Sequence, residues 1–358
     1  MTDRGKPELP LVTSRDSIRN TMTVIDESAK GIALVVDGEQ RLLSTVTDGD
    51  IRRAVLQGLD LESTIQELIA RKEPEPAIAD GPITAPAGTD DGALLDLMRR
   101  HSVRHIPLLD GDGRIVGLSR IEDLVESPKL NAVVMAGGFG TRLRPLTHDT
   151  PKPMLPVGDR SLLERILGQL RDSGIHRVNI ATHFLADRVK EHVGDGSKLG
   201  VSVEYLSEDR PLGTAGALGL LEAPDEPVLV INGDILTRTD FRAMLHFHQD
   251  YKAAMTVGIK QYSVKVPFGV VQVRGAEIAG LEEKPVAQFF VVAGIYLLSP
   301  EVWKFLPRGE HCDMPDLIRR LVGEGQKVVS FPINEYWLDV GCPDDYQQAQ
   351  SDVADGRV

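Results

Sequence analysis

Met135-Ala136-Gly137-Gly138-Phe139-Gly140-Thr141-Arg142-Leu143-Arg144-Pro145, followed by Pro151-Lys152-Pro153, is the stretch from which the rest of the chain can be read. The apolar run Ala132 to Met135 reads as a buried strand. The glycines directly after it let backbone amides approach an anion without interference from a Cβ. Arg142 and Lys152 then add fixed positive charge: a guanidinium grips phosphate oxygens in a fork, and an ammonium acts as a point charge. The string therefore reads as a loop that holds a polyphosphate. Its backbone contacts fall to Ala136, Gly137, Gly138, Gly140 and Thr141.

Two other phosphate motifs are excluded. Gly138-Phe139-Gly140 opens like a dinucleotide fingerprint, but the third glycine position falls on Leu143. No Walker sequence ending in Gly-Lys-Ser/Thr occurs.

The loop resembles the signature of sugar-1-phosphate nucleotidyltransferases, with a wording closer to the mannose-1-phosphate guanylyltransferase-like branch than to the thymidylyl branch. The resemblance covers roughly residues 130–350, because further segments recur in the family's order: Leu212-Gly213-Thr214-Ala215-Gly216, Asn232-Gly233-Asp234, Glu282-Glu283-Lys284-Pro285, Ala293-Gly294-Ile295-Tyr296 and Trp337-Leu338-Asp339-Val340-Gly341. It implies a Rossmann-like mixed, mainly parallel α/β sheet and a Mg2+-dependent transfer of a nucleoside monophosphate from an NTP to a hexose 1-phosphate. GTP is the preferred donor by that wording, with thymidylyl, uridylyl or cytidylyl transfer as alternatives. By the same carry-over Asp234 and Asp339 bind the metal, and Gly213 and Thr214 help read the base. Lys284 takes the sugar phosphate, Glu283 the sugar hydroxyls, and Gly294 lies beside the sugar. There is one departure: many relatives carry Asn before Ala-Gly, where this chain has Val292.

Bulk properties bound the class of protein, and any anionic substrate must be held by local charge. The 358 residues, 42% hydrophobic, suffice for two or three compact units. A net charge of −13 argues against nucleic acid as a partner, since sequence-independent phosphate binding needs clustered Lys and Arg. No apolar run reaches transmembrane length and the polar N-terminus lacks a signal-peptide core, so no membrane partner and a cytoplasmic location are expected. Cys312 and Cys342, the only cysteines, suit a reducing compartment and structural roles. No hexapeptide repeat follows residue 350, so a β-helix domain is not expected.

The first 127 residues contain a repeat with a constant offset of 73 residues: Asp37-Gly38 matches Asp110-Gly111, Arg41-Leu42-Leu43 matches Arg114-Ile115-Val116, and Asp50 matches Asp123. Each copy, about 8–68 and 72–127, reads as α+β, with helix, strand, turn, strand and closing helix. The pair resembles tandem CBS domains, whose clefts often bind nucleotides through a Thr-x-x-Asp. Thr47 and Asp50 fit that pattern in the first copy. In the second, Arg120 replaces the threonine although Asp123 is retained. Thr47 and Asp50 read equally well as the cap of the helix carrying Arg52 and Arg53. Residues 72–92 read as joining the two copies and beginning the second, and Glu126-Ser127-Pro128-Lys129 as the boundary before a catalytic domain over 130–352.

Beyond it, helices are expected at 162–172, 185–192, 215–221, 241–249 and 315–322, and strands at 178–181, 201–205 and 228–231. The alternation implies βαβ units with ligands at the strands' carboxyl ends. His246 and His248 are expected to be surface or packing histidines, not metal ligands. Intact Arg142, Lys152, Asp234, Lys284 and Asp339 argue against a catalytically silent nucleotide sensor. The CBS pair is expected to regulate by binding a nucleotide or to serve oligomerisation, and a homo-oligomer is expected.

Overall fold

The computed structural model describes residues 9–72, 81–101, 103–124 and 130–358. The boundary expected at 126–129 lies outside these residues, as does the linker stretch 73–80. The chain divides into two compact units, Met1–Pro128 and Lys129–Val358.

The amino-terminal unit shows its repeat atom by atom. Leu11–Val12 pairs in parallel with Ile32–Val36, which pairs antiparallel with Leu42–Thr47. Ala85–Pro86, His105–Leu109 and Ile115–Arg120 form a second sheet of the same design. The register slips at Val35/Val36 and again at Leu108/Leu109, the same 73 residues apart. The turns match too. Asp37 accepts from the amides of Glu39 and Arg41, and Asp110 accepts from those of Asp112 and Arg114. The copies share apolar contacts, with Ile32, Leu34 and Val36 packing on Ile115. The amide of Ile115 donates to Gln40 O at 3.2 Å.

The carboxy-terminal unit is built on seven strands: β1 (Asn131–Met135), β2 (Arg177–Thr182), β3 (Ser202–Ser207), β4 (Val228–Asn232), β5 (Met255–Lys265), β6 (Val286–Leu298) and β7 (Val328–Pro332). Their order is β3-β2-β1-β4-β6-β5-β7. The first four are parallel, β6 runs antiparallel to β4 and β5, and β7 is parallel to β5. The sheet is thus mixed and mainly parallel.

Alternation along β1 decides what each face covers. Ala132 and Val134 join one core with Leu163, Ile166 and Leu170 of α1 (Leu162–Asp172), while Val133 joins the opposite core with Leu317 and Leu321 of α4 (Met314–Gly323). Helix α1 starts where its sequence says it should, because Ser161 and Glu164 form a reciprocal capping box. Three other helices are α2 (Ala186–Val193), α3 (Phe241–Asp250) and α5 (Pro343–Ala354). The helix expected at 215–221 resolves into a single turn, Gly213–Gly216, followed by a 3-10 stretch over Ala217–Leu220.

His248 on α3 is a packing residue. Its ring nitrogens lie 2.8 Å from Thr256 Oγ1 and 2.9 Å from Ser299 Oγ, and burial pushes its pKa down to about 4. A group lowered in the fold supports stability above its unfolded value near 6.5 and loses that support as pH falls toward the folded value. The lost support is about 3 kcal/mol. Urea titrations of this unit should show His248→Gln losing less stability between pH 7 and pH 4.5 than the parent, by a few kcal/mol. Equal losses would mean the ring is not held neutral.

Candidate active site

The glycine loop leaves the carboxyl end of β1 between the ends of its two neighbours. The Ala136 amide donates to Ala181 O on β2, and the Gly233 amide after β4 donates to Met135 O, both at 2.9 Å. Gly140 sits at φ +59°, and a Cβ there would lie 3.0 Å from Thr147 Cγ2 and 3.1 Å from Lys152 Cβ. The loop can therefore fold back over Lys152 only with glycine at this position. Thr147 Oγ1 donates to Gly140 O at 2.7 Å and fixes the return. Thr141 and Arg142, both exposed, follow in a short 3-10 turn, Thr141–Leu143. Gly138 has open space where a side chain would stand.

The two aspartates are brought side by side by backbone pairing. After β4 the chain turns through Gly233-Asp234 into a short strand, Ile235–Thr237, which pairs antiparallel with Trp337–Asp339. Ile235 stands opposite Asp339, and the Val340 amide donates to Asp234 O at 3.0 Å. Lys152, almost buried, pairs directly with Asp234 and reaches Asp339 Oδ1 at 4.0 Å. Arg142 completes the cluster: its guanidinium lies 3.4 Å from where a Cβ on Gly341 would be.

Electrostatics mark Asp339. Burial and then the neighbouring Asp234 push its carboxyl above the usual aspartate range, and Lys152 and Arg142 only partly offset them. Nearly half of the side chain is accessible, yet Oδ1 is sealed from water and accepts no hydrogen bond. An orphaned carboxylate oxygen beside a second carboxylate is chemistry suited to a divalent cation. Among the described residues no cluster of three or more His, Cys, Asp or Glu forms a closed cage. Asp234 and Asp339 would thus hold an ion that takes its remaining ligands from water and phosphate, as magnesium prefers.

Other expected residues are placed differently. Gly213, at φ +81°, packs so closely on the loop before α4 that a Cβ would lie 2.6 Å from Cys312 O. Thr214 donates from its amide and its hydroxyl to Asp313 Oδ1, and its hydroxyl accepts the Met314 amide, which secures the start of α4. Gly294, at φ +70°, borders the Asn232 side chain. Glu283 and Lys284 are not drawn into the cluster. They are exposed and pair with each other at 3.8 Å.

In the amino-terminal unit, Thr47 and Asp50 form a reciprocal capping box. Asp50 is buried, and although burial acts upward, Lys72 and Arg53 hold its carboxyl below the ordinary range. Asp123 is gripped by both arms of Arg120, which also donates to Ala29 O of the first copy at 3.1 Å.

The sequence reading missed Glu208. It follows β3 directly, and its Oε1 occupies the space over Gly137, 2.9 Å from where a Cβ would be. Its Oε2 accepts the Leu212 amide at 2.8 Å, and burial raises its pKa. His183, after β2, approaches Glu208 O through Nδ1 at 2.9 Å and meets the Phe139 ring edge-on. Position at a strand's carboxyl end was the available signal.

Because the fold raises the pKa of Asp339, its ionised form costs stability, a cost that grows as pH rises from the ordinary aspartate range through the raised value. Asp339→Asn should therefore unfold at a higher temperature than the parent in metal-free buffer at neutral pH, yet lose any stabilisation by Mg2+ with a nucleotide. Calorimetry at two pH values checks both. A variant that is less stable and still responds to Mg2+ would contradict this geometry.

Comparison with known proteins agrees with the fold. The nucleotidyl transferase family matches residues 131–356, and the CBS domain family matches residues 77–129. Among similar curated proteins, the mannose-1-phosphate guanylyltransferase of Mycobacterium tuberculosis is 31% identical over 237 residues, covering 64% of this chain and 66% of that protein. The D-glycero-alpha-D-manno-heptose 1-phosphate guanylyltransferase of Aneurinibacillus thermoaerophilus is 28% identical over 227 residues, 63% of this chain and 98% of its own length. A Bacillus anthracis crystal structure, described as a glucose-1-phosphate thymidylyltransferase in complex with sucrose, superposes with a TM-score of 0.51 at 28% identity, over 62% of this chain and 94% of that one. The chain thus spans just under two thirds of the Mycobacterium protein. Among the described residues no helix is long and apolar enough to cross a membrane. With the family matching well over half of its length, the chain belongs to the nucleotidyl transferases and carries a CBS domain in its amino-terminal part.

Proposed function

We propose that the protein is a Mg2+-dependent sugar-1-phosphate guanylyltransferase, joining the NMP of GTP to a hexose 1-phosphate with release of pyrophosphate. The observation that carries the reaction class is that Asp234 and Asp339 are brought to one lysine, Lys152, with Arg142 nearby, after the glycine loop. A sugar phosphate is already an anionic nucleophile, so no protein general base is needed. The residues act by placing two polyanions in line and neutralising charge. Lys152 and Arg142 hold triphosphate oxygens, and the loop amides after β1 cradle them. Asp234 and Asp339 would hold the ion, which would supply Lewis-acid stabilisation of charge on the transferred phosphate. Lys284 binds the incoming sugar phosphate and Glu283 its hydroxyls.

Glu208 supports guanine as the base. An ionised carboxylate only accepts hydrogen bonds, and guanine alone offers two adjacent donors, N1–H and N2–H, on its pairing edge. Uracil and thymine would set carbonyl oxygens against it. The guanylyltransferase names of the two curated relatives point the same way.

A matrix of NTPs against sugar 1-phosphates, scored by pyrophosphate release, should favour GTP. Asp234→Asn should abolish turnover, and Lys284→Ala should mainly raise KM for the sugar phosphate. Glu208→Gln should cut kcat/KM for GTP by about 10–100-fold and narrow its preference over UTP. Unchanged kinetics in Asp234→Asn would refute the reaction class, and unchanged preference in Glu208→Gln would refute only the base.

The amino-terminal repeat is assigned a regulatory nucleotide, on the strength of the CBS match. Titrating full-length protein with nucleotides that are not substrates should change turnover severalfold. Absence of any binding outside the active site would leave the repeat as an oligomerisation element.

A further inference from the structure

Residues 261–292 form an arm whose exposed apolar side chains join no core of their own unit among the described residues. Beyond its paired core, β5 continues from Gln261 to Lys265 against Val286 to Phe290 of β6, and the tip is a separate hairpin, Val270–Arg274 with Glu277–Glu282. Twelve large hydrophobic side chains stand exposed along it, and none belongs to a core cluster among the described residues. At the tip, Phe268, Val273, Ile278 and Leu281 are 72%, 70%, 71% and 69% exposed.

Register shows that this apolar surface has a face. Val271 lies opposite Leu281 and Val273 opposite Ile278, with the intervening slip keeping all four on one side of the hairpin. Gln272, Arg274, Glu277 and Glu282 share the other side with Val270. Farther down, Tyr262 pairs with Phe289, both exposed. A two-stranded ribbon with one bare apolar face is marginal in water by itself. The exposed apolar area, on the order of 1,000 Å2, exceeds the patches of ordinary monomers and matches the roughly 800 Å2 per partner of a standard interface.

Charge selects the occupant. The arm carries Lys265, Arg274 and Lys284 against Glu277, Glu282 and Glu283, so it is neutral on a chain of net charge −13. An anionic lipid surface or a nucleic acid would be repelled by the acidic remainder of the chain. A neutral, apolar strip meets a copy of itself without repulsion, as an isologous contact requires.

We infer that the arm is a self-association surface, seating its Val271, Val273, Ile278 and Leu281 face on a second copy of this chain. Sedimentation of the full-length protein, run without substrates, tests this independently of any catalytic assignment. The parent should associate with a Kd of about 1 μM or tighter, and Val273→Lys with Ile278→Lys should weaken that association at least tenfold. Arg274→Ala, on the opposite side, should leave it intact. If the lysine pair perturbs folding, Ile278→Thr with Leu281→Thr removes apolar area while keeping strand propensity, and should weaken association in the same direction. A parent that stays monomeric at about 10 μM, variants that associate as the parent does, or a monomer that floats with phosphatidylglycerol vesicles would each overturn the inference.

Discussion

Two like charges held close together by a backbone ladder are the constraint around which the catalytic unit is organised. Asp234 and Asp339 come from distant parts of the chain, and Ile235 opposite Asp339 leaves them no freedom to separate. Such a pair repels, and the fold answers with Lys152, which is buried against it, and with Arg142 nearby. The compensation is incomplete, since Asp339 stays above the ordinary carboxylate range. Burial is the larger cause and the Asp234 charge the second, and the proposed cation would relieve both.

The sheet supplies this arrangement cheaply. Parallel β1, β2 and β4 end at one level, so the glycine loop, His183 and Asp234 converge there with no long excursion of the chain. Antiparallel β6 then returns beside β4, placing Gly294 against Asn232. Glycines recur because backbone meets backbone or a rigid side chain at these crossings, as Gly213 does with Cys312. The flat base-reading role expected for Gly213 and Thr214 is thereby joined by a structural one, anchoring α4.

Much of this was legible in the sequence because it was local. The run Ala132 to Met135, the glycines after it and the helix from Leu162 to Asp172 follow from periodicity and capping, and the structure has them where they were expected. The repeat of 73 residues was visible as paired turns, and the hydrogen bonds of Asp37 and Asp110 show why those turns recur. What depended on distant pairing was hidden. Glu208's place after a strand hinted at a site, but that it lies over Gly137, like Asp50's pairing with Lys72, is a tertiary fact. The arm escaped notice for the opposite reason: a strand whose apolar residues face solvent has the same pattern as one whose residues face a core.

A metal-exchange experiment addresses the centre of this account most directly. With Mn2+ and GTP bound, anomalous scattering from crystals should show a cation between Asp234 and Asp339, bonded to a carboxylate oxygen of each and to phosphate oxygen. Cation density elsewhere on the triphosphate, with both carboxylates unengaged and Lys152 still paired to Asp234, would contradict it.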